Sequence, residues 1–152
     1  MASQQHSLLN AVSCCLPDMD TAKESELVLA GKKPLWILTA TLEEDQAQLE
    51  TALKEATSDF AADVIWTCWP SKDFDRCKPV CQEEWVYANI NDLDGIEAST
   101  VVIFGMPPND SVSADGRNTH SRIFSRARHC LVIVTEDNVP RYYALTYFVD
   151  YN

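Results

Sequence analysis

Two carboxylates two residues apart, Asp92 and Asp94, lie in the run Asn91-Asp92-Leu93-Asp94-Gly95-Ile96, just ahead of the apolar stretch Thr100-Val101-Val102-Ile103-Phe104. Acidic residues on the last turns of a helix, a glycine and then a buried strand can deliver a carboxylate to the rim of a sheet. Open α/β sheets bind ligands at the carboxyl ends of their strands, so Asp92 or Asp94 could face a pocket there. The same spacing also describes a solvated helix end, and spacing alone leaves both readings open.

A second group of reactive side chains is basic. Four of the six arginines, Arg117, Arg122, Arg126 and Arg128, crowd one thirteen-residue stretch together with His120 and His129. Arg122 and Arg126 share a helix face by their i,i+4 spacing. Arg117 and His120 would lie at a helix N-terminus, where free backbone N–H groups favour anions. One reading is a phosphate or carboxylate site, which would make the ligand a nucleotide. The other is a solvated arginine face paired with the chain's own acids, which contributes little energy.

Other constellations are incomplete. Ser111, Ser113 and Ser121 with His120 and Asp115 fall in one short segment without a Gly-x-Ser-x-Gly elbow. A working triad instead converges from separate elements. Cys77 and Cys81 would form half of a metal site, with no second pair at zinc-like spacing. No phosphate-cradling glycine loop is present. Neither a metal nor an organic cofactor is therefore expected. Cys68 and Cys130 lie in strand-like runs and read as core thiols, and Trp66, Trp69 and Trp85 read as core or pocket wall.

Composition bounds the partners. The chain has 152 residues, 46% of them apolar, and a net charge of −11. That length suits one domain with a substantial core. Nucleic acid and anionic membranes both call for a basic footprint, so neither is an expected partner, whereas a small molecule is. No apolar run approaches the roughly 20 residues of a membrane span. The start of the chain lacks a secretory pattern, and the expected location is the cytoplasm.

The elements that must position these residues become regular after residue 33. Residues 1–33 read as an N-terminal appendage, with a short helix possible up to Gly31. Residues 34–152 read as one α/β domain. Leu35 to Leu38 is a short apolar run suited to a strand covered on both faces. Thr41 and Glu44 form a capping-box pattern, and Leu42, Leu49, Ala52, Leu53 and Ala56 follow on one helical face. Strands are predicted at Asp63–Trp69, Thr100–Phe104 and Cys130–Val134. Helices are predicted over Val80–Ile96 and Asn118–Arg128, and a closing element over Tyr142–Tyr151. Alternation of this kind predicts a flavodoxin-like three-layer α/β/α sandwich with a mostly parallel sheet of about five strands.

The segment Tyr87-Ala88-Asn89-Ile90-Asn91-Asp92-Leu93-Asp94-Gly95-Ile96 resembles the part of the nucleoside 2-deoxyribosyltransferase family that carries an active-site aspartate. The likeness extends from residue 34 to the end of the chain, through an opening strand and helix, a tryptophan-containing lead-in at Trp85 and an acidic loop from Pro107 to Gly116. It implies transfer or hydrolysis of the N-glycosidic bond of a deoxynucleoside or nucleotide, in a homo-oligomer. Asp92 would handle the sugar hydroxyl or the leaving base, with Asn91 beside it and Trp36 or its neighbour framing the pocket; Arg117 of the basic stretch, by its own position, would reach an anionic group of the ligand.

Breaking such a bond builds positive charge on the sugar, which a carboxylate nucleophile can trap. The position of the family's nucleophilic glutamate corresponds here to His120, and no glutamate occurs between Glu97 and Glu136. Asp115 is the nearest carboxylate that could stand in. The family's glycine-containing turn after the first strand is replaced by Leu38-Thr39-Ala40-Thr41, so Thr39 is expected to narrow the pocket. The alternative implied by these departures is a nucleoside- or nucleotide-binding or scaffold protein without the chemistry.

Overall fold

The computed structural model describes residues 10–13, 34–107 and 119–136. The sequence elements expected at Leu27–Gly31 and Tyr142–Tyr151 lie outside these residues, as do Asp115, Arg117 and most of the Pro107–Gly116 loop. Among the described residues the chain forms strands β1 (Asn10–Ser13), β2 (Leu35–Thr39), β3 (Val64–Cys68), β4 (Val86–Tyr87), β5 (Ala98–Phe104) and β6 (Ala127–Glu136). Three α-helices accompany them: α1 (Gln46–Ala56), α2 (Phe74–Cys77) and α3 (Thr119–Phe124).

The strands make one sheet in the order β1-β2-β6-β5-β3-β4. From β2 to β4 every pairing is parallel. The five-stranded parallel sheet expected from the alternating pattern is thus present. Part of the N-terminal segment joins it: β1 pairs antiparallel to β2, with Val12 opposite Trp36.

Two apolar layers sandwich the sheet. Side chains alternate along each strand, so Ile37, Val64, Trp66, Val102, Val132 and Val134 face one layer. Leu49 and Leu53 of α1 and Cys77 of α2 cover that side. Trp36, Ile65, Val101, Ile103, Leu131 and Ile133 face the other, under Ile123 and Phe124 of α3. Burial on both faces is why these strands read as continuous apolar runs rather than alternating ones. The architecture is the flavodoxin-like three-layer sandwich.

Helix α1 follows its sequence closely. Leu49 and Leu53 are fully buried, and Ala52 and Ala56 pack behind them. Its entry turn is fastened by Thr41, whose hydroxyl accepts from Glu44 N–H at 3.0 Å. The helix expected over Val80–Ile96 does not form. A 3₁₀ turn at Lys78–Val80, the two-residue β4 and a second 3₁₀ turn at Ile90–Asp92 take its place. Val80 and Trp85 belong to the layer under α1, whereas Ile90 and Leu93 belong to the opposite layer. The chain must wrap around the edge of the sheet to bury all four, and a single helix presents only one apolar face. The predicted helix over Asn118–Arg128 is likewise shorter, because Ala127 and Arg128 already belong to β6.

Candidate functional site

The carboxyl ends of the parallel strands line one edge of the molecule, and the connections leaving them diverge. The chain leaves β3 toward the α1 layer, through Cys77 and Val80. From β4 it passes into the opposite layer, through Ile90 and Leu93, and from β5 it reaches α3 there. The ends of β3 and β5, neighbours in the sheet, therefore flank a topological switch point, the place where open α/β sheets form a crevice.

At that point the backbone is drawn tight. Trp69 N–H donates to Phe104 O at 2.7 Å, and Gly105 N–H donates to Val134 O at 2.7 Å. Gly105 has a φ of +93°, and a Cβ placed there would lie 2.1 Å from Trp69 O. Only a residue without a side chain fits this approach. Trp69 itself is 39% exposed, one of two large apolar residues left open among the described residues. Near the end of β3, the Thr67 hydroxyl is buried and has no hydrogen-bond partner.

Asn91 and Asp92 are exposed on the 3₁₀ turn that follows the carboxyl end of β4. Asn89 sets the turn: its Oδ1 accepts from Asn91 N–H at 2.9 Å, and its main-chain O accepts from Asp92 N–H at 2.8 Å. Ala88 N–H donates to Trp66 O at 3.0 Å, and Asn89 Nδ2 donates to Ser71 Oγ at 3.4 Å. These bonds fasten the Asn91–Asp92 turn to β3 at Trp66 and to Ser71, just after Trp69.

The remaining residues singled out from the sequence are deployed differently. His120 is fully buried, with Nε2 2.6 Å from Pro107 O and its ring stacked on Phe124 at 5.3 Å. It lies on the same side of the sheet as Trp36 and the Asp92 turn, as an interior side chain. Trp36 belongs to the core there, its indole N–H donating to Thr135 Oγ1 at 2.5 Å. Thr39 is buried on the other side, and its hydroxyl donates to Asp45 Oδ2 at 2.6 Å. That bond ties the end of β2 to the start of α1 and occupies the group expected to narrow a pocket.

The described arginines are engaged with the chain's own groups. Arg122 pairs with Asp94, and Arg128 pairs with Asp63 at 2.8 Å. Arg126 Nε donates to Arg122 O at 3.2 Å. His129 stacks on Phe60 at 4.7 Å. The paired face, rather than an open anion site, is what these residues form.

A different arginine organises the carboxyl edge near β2 and β6. Arg76 donates to Glu136 at 2.6 Å, to Glu43 at 2.7 and 3.0 Å, and to Asp73 at 3.3 Å. Glu136 Oε2 also accepts from Leu42 N–H at 2.8 Å. The Arg76 guanidinium hydrogen-bonded to Glu43 holds that carboxyl down to about 2. Nothing in the sequence marks Arg76, which is isolated from the other arginines and gathers Glu43 and Glu136 from distant segments.

The thiols among the described residues are structural. Cys68 and Cys130 are buried in their strands. Burial pushes the thiols of Cys68, Cys77 and Cys81 up, which keeps them protonated and poorly nucleophilic. Among the described residues no three metal-ligating side chains converge. No described helix is long and apolar enough to cross a membrane.

No protein-family model matches this chain, and no curated protein matches it.

Proposed function

We propose that the protein binds a nucleoside or nucleotide at the carboxyl edge of the sheet, between the Trp69 segment and the Asn91–Asp92 turn. The observation that carries this reading is an exposed indole at the switch point, fastened through Ser71 and Asn89 to a turn that presents an amide and a carboxylate. An indole face stacks on any base, and stacking of this kind is worth about 1–3 kcal/mol. A carboxylate accepts from the hydroxyls of a sugar. The resemblance of Tyr87–Ile96 to the nucleoside 2-deoxyribosyltransferases supports the same ligand class and gives Asp92 the sugar hydroxyl or the leaving base.

On the chemical reading, the protein transfers or hydrolyses an N-glycosidic bond, as a homo-oligomer, with Asp92 in the site and Asp115 as the carboxylate available for the sugar cation. The second reading is binding without turnover. It is favoured by His120, which replaces the expected nucleophile with an imidazole that is buried and bonded to a main-chain carbonyl.

A thermal-shift screen across deoxynucleosides and their monophosphates tests the binding reading, since a ligand of the folded state raises apparent stability by mass action. Asp92→Ala and Trp69→Ala are expected to fold normally, because neither residue belongs to the two buried layers, and to lose the ligand-induced shift. Base release from the ligand that binds best separates the two readings. No saturable shift with any nucleoside or nucleotide would refute both, and a shift unchanged in the two variants would refute the site.

A further inference from the structure

On the opposite side of the sheet, under the segment that links α2 to β4, a cavity of about 500 Å³ opens to the surface. That is within the usual range of small-molecule sites. Trp66 and Trp85, both buried, form its apolar wall, and Gln82, Lys78, Asp75 and Glu83 complete it. The Gln82 side-chain amide nitrogen is buried and has no hydrogen-bond partner, one of two such side-chain atoms among the described residues. A buried donor without an acceptor is costly to the free protein, and a ligand acceptor would relieve that cost.

The charges around the cavity favour a cation. Lys78 Nζ lies over the Phe74 ring, 5.7 Å from its centroid, so its charge is already engaged. Asp75 and Glu83 outnumber it, and both are exposed at the rim. Indole walls also attract positive charge. Phe74 in turn stacks on Trp66 at 5.2 Å, which holds that wall in place.

We propose that this cavity is a second ligand site, separate from the carboxyl edge, for a small aromatic cation that carries a carbonyl acceptor. The ring packs against Trp66 and Trp85, the carbonyl accepts from Gln82, and the ammonium faces Asp75 and Glu83. An aromatic anion of the same size is rejected by the two carboxylates.

Procainamide, a benzamide with an ammonium arm, is a direct probe, and benzoate is its anionic control. Calorimetric titration and thermal shift on the full chain are expected to show saturable procainamide binding and no benzoate binding. Gln82→Leu is expected to weaken procainamide by roughly two- to tenfold, the worth of one neutral hydrogen bond. The same variant is expected to melt at the wild-type temperature or above it, because an unsatisfied buried donor has been removed. Asp75→Asn with Glu83→Gln is expected to weaken the cation further and to remove its salt dependence. Trp69→Ala and Asp92→Ala are expected to bind procainamide normally, which separates this site from the nucleoside site. Absence of saturable procainamide binding to the wild type would overturn the proposal. So would a Gln82→Leu protein that melts well below wild type, since the amide would then be bonded within the fold.

Discussion

Gly105 offers the sharpest test of how the carboxyl edge is built, because Gly95 provides its control. Both glycines have positive φ, +93° and +85°. A Cβ on Gly95 meets nothing within 4 Å, whereas one on Gly105 lies 2.1 Å from Trp69 O. Gly95→Ala therefore incurs only left-handed backbone strain, about 1–2 kcal/mol, partly offset by reduced freedom of the unfolded chain. Gly105→Ala carries the same strain and must also move Trp69 O away, by 1.3 Å to reach ordinary contact at 3.4 Å (3.4 − 2.1). The bonds from Trp69 N–H to Phe104 O and from Gly105 N–H to Val134 O are both 2.7 Å long and would be disturbed together. With about 1 kcal/mol for each bond, the total reaches about 3–4 kcal/mol. For a domain of this size that lowers the melting temperature by roughly 10 °C, against a few degrees for Gly95→Ala. Calorimetry or urea unfolding of the two variants reads the difference directly. Equal losses, or a smaller loss at Gly105, would show that the ends of β3 and β5 are not held as described.

Three further perturbations probe the same architecture. Glu43 drops from an ordinary 4.5 to about 2 in the folded state, so its contribution is complete above pH 4.5 and fades as pH falls toward 2. Because Glu43 and Arg76 are solvent-accessible, that contribution stays below about 1 kcal/mol, and Arg76→Ala should flatten the acid limb of urea-midpoint against pH; an unchanged limb would count against the pairing. Restoring a carboxylate with His120→Glu, which the family resemblance suggests as a route to activity, instead buries an anion beside Pro107 O and should destabilise by about 3 kcal/mol or more, with no gain in base release. A stable, active His120→Glu protein would return His120 to the site. Thr67→Val removes an unpartnered hydroxyl at constant shape and should leave stability unchanged or raised by up to about 1 kcal/mol, so a clear loss in denaturation would reveal a hidden partner.

The carboxyl edge divides two kinds of residue. Thr39, Asp45, Glu136 and Arg76 spend their polar groups on one another and hold strand ends to the start of α1. Trp69 at the switch point, and Asn91 and Asp92 on the turn after β4, remain open to solvent. The nucleoside proposal rests on the second group, because a side chain already committed inside the fold has little left to offer a ligand.

Much of the framework was legible in the order of residues alone. Leu35–Leu38, Thr100–Phe104 and Cys130–Val134 announce strands buried on both faces, since a central parallel strand tolerates no polar alternation. Thr41 with Leu42, Leu49 and Leu53 announces α1, because capping and a 3.6-residue period are local properties. The run around Asp92 stands out in the sequence by its paired acids and its glycine, but not by its shape. Its shape was decided elsewhere: the segment from Val80 to Leu93 crosses from one layer to the other, and that demand overrides local helix preference. Strand order, the pairing of β1 with β2 and the switch point all depend on contacts between segments far apart in the chain. So do the burial of His120 against Pro107, the exposure of Trp69 and the gathering of carboxylates around Arg76. Periodicity reports only which face of an element is apolar. What that face meets, and which polar groups are left over at the edge, is fixed when the layers close on the sheet.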